Sequence, residues 1–135
     1  MPAVEVRSFG LIGIHHVQLA MPAGREADAE AFYAGVLGLS PTPKPEPLAR
    51  RGGRWFRGNG VEVHLGVEEE FRPARKAHPA FRVSGLAALR QRLEAAGAPM
   101  RDEAPLEGWR RLHTADPFGN RIELIEALTP AAGDA

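Results

Sequence analysis

The chain contains no cysteine. That removes disulfides, thiolate metal sites and a thiol nucleophile together, and it agrees with a cytoplasmic protein. Neither sign of charge is in excess, since 17 basic residues balance 17 acidic ones. No global field therefore draws the chain to nucleic acid or to an anionic membrane. No apolar run approaches the ~18 residues of a membrane span, and the opening "MPAVEVRSFG" lacks the basic-then-apolar pattern of a leader. Low-complexity stretches are missing too. The small polar ends, residues 1–8 and 129–135, read as frayed tails. At 135 residues the chain is expected to be a single domain acting on a small molecule, with no nucleic-acid or membrane partner.

What the sequence does have is an internal repeat. "GNGVEVHL" (58–65) lies over "PFGNRIEL" (117–124), with Gly60 on Gly119, Val63 on Ile122, His64 on Glu123 and Leu65 on Leu124. At nearly the same offset "LGLSP" (37–41) lies over "AAGAP" (95–99), so that Gly38 and Gly97 each close an amphipathic helix. "HHVQLAM" lies over "AHPAFRV" with His16 on His78, the first half being slightly longer in the loop "MPAGR". A repeated unit of this size buries its apolar face only against its neighbour, so two modules must share one core.

β-branched alternation predicts a strand over residues 12–21, ended by Pro22 and Gly24. "EADAEAFYAGVLG" then has helical spacing, with Gly38 just past its end. "SPTPKPEPL" is too rich in proline for anything but an edge strand or a connector. "GRWFR" and "VEVHLGV" form a hairpin about "GNG", and "EEEFRPARKA" joins the halves as a solvated linker. The second half repeats the order with strand "HPAFRV", helix "LAALRQRLEAAG", a short strand near 100–103, and strands "WRRLHTA" and "NRIELIEAL". The expected fold is α+β, two tandem βαβββ modules at about 11–70 and 77–128.

Side chains alternate across a strand, so each segment's parity assigns its faces. Val63, Leu65, Ile122, Leu124, Phe81, Val83, Val17 and Leu19 take the apolar faces. His16, His64, His78 and Glu123 all fall opposite them. Independent structural histidines have no reason to share a face with a glutamate at repeat-matched positions, so the four are read as ligands of one divalent ion. Zn, Ni, Mn and Fe all suit such a set. His15 has the wrong parity and reads as structural, and His113 reads as a hydrogen-bonded strand end.

"HHVQLAM", "FYAGVLGL", "AHPAFRV" and "DPFGNRIEL" resemble, in order, segments of the vicinal oxygen chelate superfamily. Its members include glyoxalase I, extradiol dioxygenases, fosfomycin-resistance thiol transferases and bleomycin-binding proteins. The resemblance spans residues 11–128. It implies a glyoxalase/bleomycin resistance/dihydroxybiphenyl dioxygenase-like fold, with modules curving into a half-open barrel around a divalent metal, commonly in a homodimer. On that resemblance His16, His78 and Glu123 occupy ligand positions. The fourth position, a glutamate in glyoxalase I, is His64 here, which argues against glyoxalase I activity itself and leaves His64 as ligand or as general base alongside Glu123. Gln18, Trp55, Phe56, Arg82, Trp109 and Arg121 would border the substrate. The implied activity is metal-dependent proton transfer, of lyase or isomerase type, on a small oxygen-rich molecule. Alternatives are an extradiol Fe(II) dioxygenase and a metal-free binding protein of bleomycin-resistance type.

Overall fold

The computed structural model describes residues 8–129. The first module runs β1 (Val17–Met21), α1 (Glu26–Tyr33), β2 (Ser40–Thr42), β3 (Arg54–Gly58) and β4 (Val61–Val67), with one 3-10 turn at Leu48–Arg51. The second runs β5 (Ala80–Arg82), α2 (Leu86–Ala95), β6 (Met100–Asp102), β7 (Trp109–Ala115) and β8 (Arg121–Ala127). Each module forms its own four-stranded mixed sheet, in the orders β1-β4-β3-β2 and β5-β8-β7-β6. In both, the last strand is central, parallel to the first strand and antiparallel to the one before it. The repeat is thus present in the ladders themselves: Gln18 pairs with His64 as Ala80 pairs with Glu123. No helix among the described residues is long and apolar enough to cross a membrane.

The hairpin joining β3 to β4 turns through Asn59 and Gly60, both at positive φ (49° and 79°), the conformation a tight two-residue hairpin demands. Gly53, at φ 85°, has no room for a side chain, because a Cβ would lie 2.1 Å from the Leu65 carbonyl oxygen. Proline-bearing β2 is a three-residue edge strand paired only to β3. It has the edge position expected for a segment that cannot donate throughout a ladder. The first strand is shorter than its sequence pattern. Residues 12–16 alternate, but β4 begins at Val61 and Val17 already pairs with Val63, so little of β4 is left for them to pair with. Among the described residues that apolar lead-in is uncovered: Leu11 and Ile12 are fully exposed, and Phe9 and Ile14 nearly so.

The core fills the face of both sheets under the helices. Leu19, Met21, Phe56, Val63 and Leu65 from the first sheet meet Leu112, Ile122 and Leu124 from the second, with Phe32, Tyr33 and Leu93 from the helices. Phe56 is fully buried and its ring lies 5.4 Å from that of Tyr33. It therefore belongs to the core and not to the pocket wall for which it was a candidate. Trp55 and Phe56 are neighbours on one strand, so only one of them can face the polar side.

A buried polar knot ties the modules together at the turn between β7 and β8. Asp116 Oδ1 accepts from the backbone N–H groups of Phe118 and Asn120, each at 2.9 Å. Its Oδ2 accepts from the Tyr33 hydroxyl at 2.7 Å and the Asn120 side-chain amide at 2.9 Å. Asn120 in turn donates to the Ala20 carbonyl and accepts from the backbone N–H of Ala74. Burial first, and then the Asp116 carboxylate, holds the Tyr33 hydroxyl well above its usual pKa, so it stays a donor. Replacing Asp116 by alanine strands several buried donors, each costing ~1–3 kcal/mol. Urea titration should show a loss of about 3 kcal/mol or more, with Asp116→Asn losing less because it keeps one acceptor oxygen. Equal losses for the two variants would contradict the acceptor role.

Candidate metal centre

In the second sheet Glu123 sits on central strand β8, flanked by Ala80 of β5 and His113 of β7. His78, just ahead of β5, places its Nε2 3.0 Å from Glu123 Oε1. Its other nitrogen, Nδ1, lies 2.9 Å from the Lys76 carbonyl oxygen, which can only accept, so Nδ1 carries a hydrogen. Nε2 then faces a carboxylate oxygen, and this is a good contact only if the ring is doubly protonated or its lone pair shares a cation with Glu123. The donor set fits a metal. Two ligands with bonds of about 2.1 Å at right angles to one ion sit about 3.0 Å apart, and a backbone carbonyl on the far nitrogen is the usual anchor of a ligating imidazole.

Glu123 is buried, at 5% exposed. Burial alone would raise its pKa, but hydrogen bonds from His78 and His113 and the nearby Arg111 guanidinium outweigh it and hold the carboxyl below its usual range. His113 Nε2 is 3.1 Å from Oε1 and Arg111 Nη1 is 3.4 Å from Oε2. Arg121, also on β8, turns Nε and Nη2 onto His113 Nδ1 at 2.9 and 2.6 Å. Arg82 lies over the Trp109 ring, 5.1 Å from its centroid.

In the first sheet His64 occupies the position that repeats Glu123. Its ring is sandwiched between Trp55, parallel at 3.9 Å, and His16, stacked at 4.0 Å. His64 is 5% exposed and its Nε2 makes no hydrogen bond, the Glu62 carboxylate standing 3.7 Å away. Burial first, and then His16, lowers the pKa of His64, so the ring is held neutral with a lone pair available. A buried, orphaned imidazole nitrogen is what a ligand or proton acceptor presents before its partner arrives. Gln18 faces the same side: a Cβ on Gly66 would meet its amide nitrogen at 2.8 Å.

The structure therefore brings the four candidate ligands together as two pairs, His16 with His64 and His78 with Glu123, one pair per sheet. Among the described residues, the groups near enough to share an ion are His15, His16 and Glu62, and His78, His113 and Glu123. Neither draws on both sheets. His15, assigned by parity to the other face, has its Nδ1 2.9 Å from that of His16 and 3.4 Å from Glu62. Residues ahead of Val17 lie outside the ladder, so strict alternation does not govern them. His113 belongs to the site because the β7–β8 register sets it opposite Glu123. The hairpin about "DPFGN" was the sequence signal for that pairing. A cleft of about 820 Å³ opens on the opposite side of β5 and β8, between Leu37, Leu39, Val61, Phe81, Leu89 and Leu124.

Comparison with known proteins agrees with this architecture. No curated protein matches the sequence. Among solved structures, a glyoxalase family protein from Bacillus anthracis is 43% identical over 90% of this chain and 99% of its own, with a TM-score of 0.84. An integron cassette protein from the Halifax Harbour sewage metagenome is 22% identical over 86% of this chain and 99% of its own, with a TM-score of 0.70. The genomically encoded fosfomycin resistance protein FosX of Listeria monocytogenes, as a glutamate-to-glutamine mutant complexed with Mn(II) and 1S,2S-dihydroxypropylphosphonic acid, is 17% identical. It covers 87% of this chain and 94% of its own, with a TM-score of 0.73. The glyoxalase-like domain family matches residues 18–125. With that match over most of its length, the chain belongs to the glyoxalase-like family of the vicinal oxygen chelate superfamily.

Proposed function

We propose that this protein is a metal-dependent enzyme whose site is completed by a second copy of the chain, with His16 and His64 from one subunit and His78 and Glu123 from the other. The observation that carries the metal reading is the 3.0 Å approach of His78 Nε2 to Glu123 Oε1, with Nδ1 already committed to a carbonyl. The two pairs stand in separate sheets, and the apolar lead-in at Phe9, Leu11, Ile12 and Ile14 has no cover among the described residues. Pairing of two copies would bury it, as a C2 interface buries the same patch twice. A divalent ion, when bound, supplies Lewis acidity to two adjacent oxygens of a small substrate.

The chain's own groups do the rest. Glu123 contributes the negative charge that a dication requires. His64, neutral and buried, has an Nε2 that makes no hydrogen bond and can serve the ion or a substrate proton. Its place opposite Glu123 in the repeat favours the ion. Trp55 and Trp109 offer flat apolar walls, and Arg82 beside Trp109 sets a cation on the same face as Glu123. The reaction supported best is proton transfer next to a metal-held oxygen, on an oxygen-rich small molecule.

Titration of His64→Ala with Zn(II) and Mn(II), beside the parent, separates the two roles of His64. As a ligand its loss weakens binding strongly. As a base its loss leaves affinity nearly intact and slows turnover by the ~10²–10⁴ of missing acid–base catalysis. A metal-stripped, refolded parent that rebinds neither ion would favour the metal-free binding protein.

A further inference from the structure

His78, His113 and Glu123 are close enough to one another to share a single ion, and the simplest reading makes all three ligands. The hydrogen-bond directions divide them. A histidine that binds metal through Nε2 must leave that nitrogen bare and carry its hydrogen on Nδ1. His78 satisfies this, because its Nδ1 points at the Lys76 carbonyl. His113 does not. Its Nδ1 receives Arg121 Nε at 2.9 Å and Nη2 at 2.6 Å, and a guanidinium only donates. The Glu103 carboxylate also faces Nδ1, but at 3.4 Å it stands farther off than either Arg121 nitrogen, so the two closer donors make Nδ1 of His113 the bare nitrogen. Its Nε2 carries the hydrogen and donates it to Glu123 Oε1 at 3.1 Å.

We infer that His113 is a positioning residue for Glu123 and not a third ligand, with Arg121 fixing the His113 tautomer. This rests on the reading of His78 and Glu123 as metal ligands. The need for such a residue is visible in the competition for the carboxylate. Arg111 stands 3.4 Å from Oε2, too long for a strong bond but near enough to take both oxygens if the carboxylate turned. The hydrogen bond from His113 keeps Oε1 turned toward His78. Arg121, a candidate for the pocket wall, instead points its fork at His113, with its remaining nitrogen 3.5 Å from the Arg75 carbonyl. One arginine thus sets a tautomer, the tautomer sets a donor, and the donor sets the rotation of the carboxylate.

The test uses the full-length protein in metal-free and Zn(II)-loaded forms, with ¹⁵N-labelled histidine read by long-range ¹H–¹⁵N correlation. The expected result is His113 protonated on Nε2 and bare on Nδ1 in both forms. A hydrogen on Nδ1 in the loaded form, with a metal-shifted Nε2, would make His113 a ligand and overturn the inference. Zn(II) titration provides a second arm. Losing a residue that supports a ligand typically costs ~10–100-fold in metal affinity, and His113→Ala should fall in that range. His113→Gln places an amide N–H where Nε2 was and should recover most of the loss. Equal losses for glutamine and alanine would mean that a ligand had been removed. If His78→Ala binds Zn(II) as tightly as the parent, the metal reading itself fails, whereas the tautomer in the metal-free protein still answers separately for Arg121 and His113.

Discussion

Glu123→Gln should bind Zn(II) or Mn(II) more weakly than the parent by more than the ~10–100-fold that losing a merely supporting residue costs. The substitution is nearly isosteric and keeps one acceptor oxygen, so packing on β8 changes little. Charge is what it removes. Glu123 is the one anion among the four candidate ligands, and its neighbours His78, His113, Arg111 and Arg121 are neutral or cationic. A dication placed among them without the carboxylate would be repelled by the two guanidinium groups, and the imidazoles alone do not offset that. Metal content of the purified variant and titration of the stripped variant measure the effect, with thermal melting as the control for folding. Retained affinity would move the metal to the other group, around His15, His16 and Glu62.

If two copies share each site as proposed, mixing two defective variants should restore metal sites that neither contains. In His64→Ala every site lacks the first-sheet partner, and in Glu123→Gln every site lacks the second-sheet partner. A dimer with one subunit of each kind has one site carrying both lesions and one carrying neither. Random re-pairing makes half the dimers mixed, so about a quarter of all sites should regain tight binding. The measurement is Zn(II) stoichiometry after co-refolding, at an ion concentration that fills parent sites only. A site closed within one chain would recover nothing on mixing. Monomeric mass by light scattering at tens of micromolar would remove the basis for the experiment.

How far the sequence could be read depended on how local the determining physics was. Alternation and turn chemistry are local, and the βαβββ order, the Asn59–Gly60 hairpin and the edge position of Ser40–Thr42 all follow from them. The repeat carried more, because overlaying His64 on Glu123 amounts to stating that both lie at the same rung of equivalent parallel ladders. Parity also forbids Trp55 and Phe56 from sharing a face, so Phe56 in the core was legible from spacing alone. His113 was less accessible. Its importance lies in a cross-strand pairing with Glu123 and in the direction of the Arg121 guanidinium, both set by tertiary register. Strand parity gave the face of each candidate ligand but not how the two modules stand to each other. That relation depends on which apolar faces pack, and it separates the ligands into two pairs.

The knot at Asp116 and Asn120 bears on the order in which the protein can be made. Its bond from Asn120 to the Ala20 carbonyl joins residues 100 apart in the chain, and that from Tyr33 to Asp116 spans 83. A nascent chain leaving the ribosome therefore has β1, α1 and the whole first sheet outside well before the residues that complete their hydrogen bonding have been synthesised. The Tyr33 hydroxyl and the Ala20 carbonyl must meanwhile be satisfied by water, in a half-molecule whose core face is still open. Such an intermediate is sticky, and long-range closure of this kind is slow. Co-translational holding by a chaperone should matter most in the interval between emergence of the first module and arrival of the "DPFGN" turn.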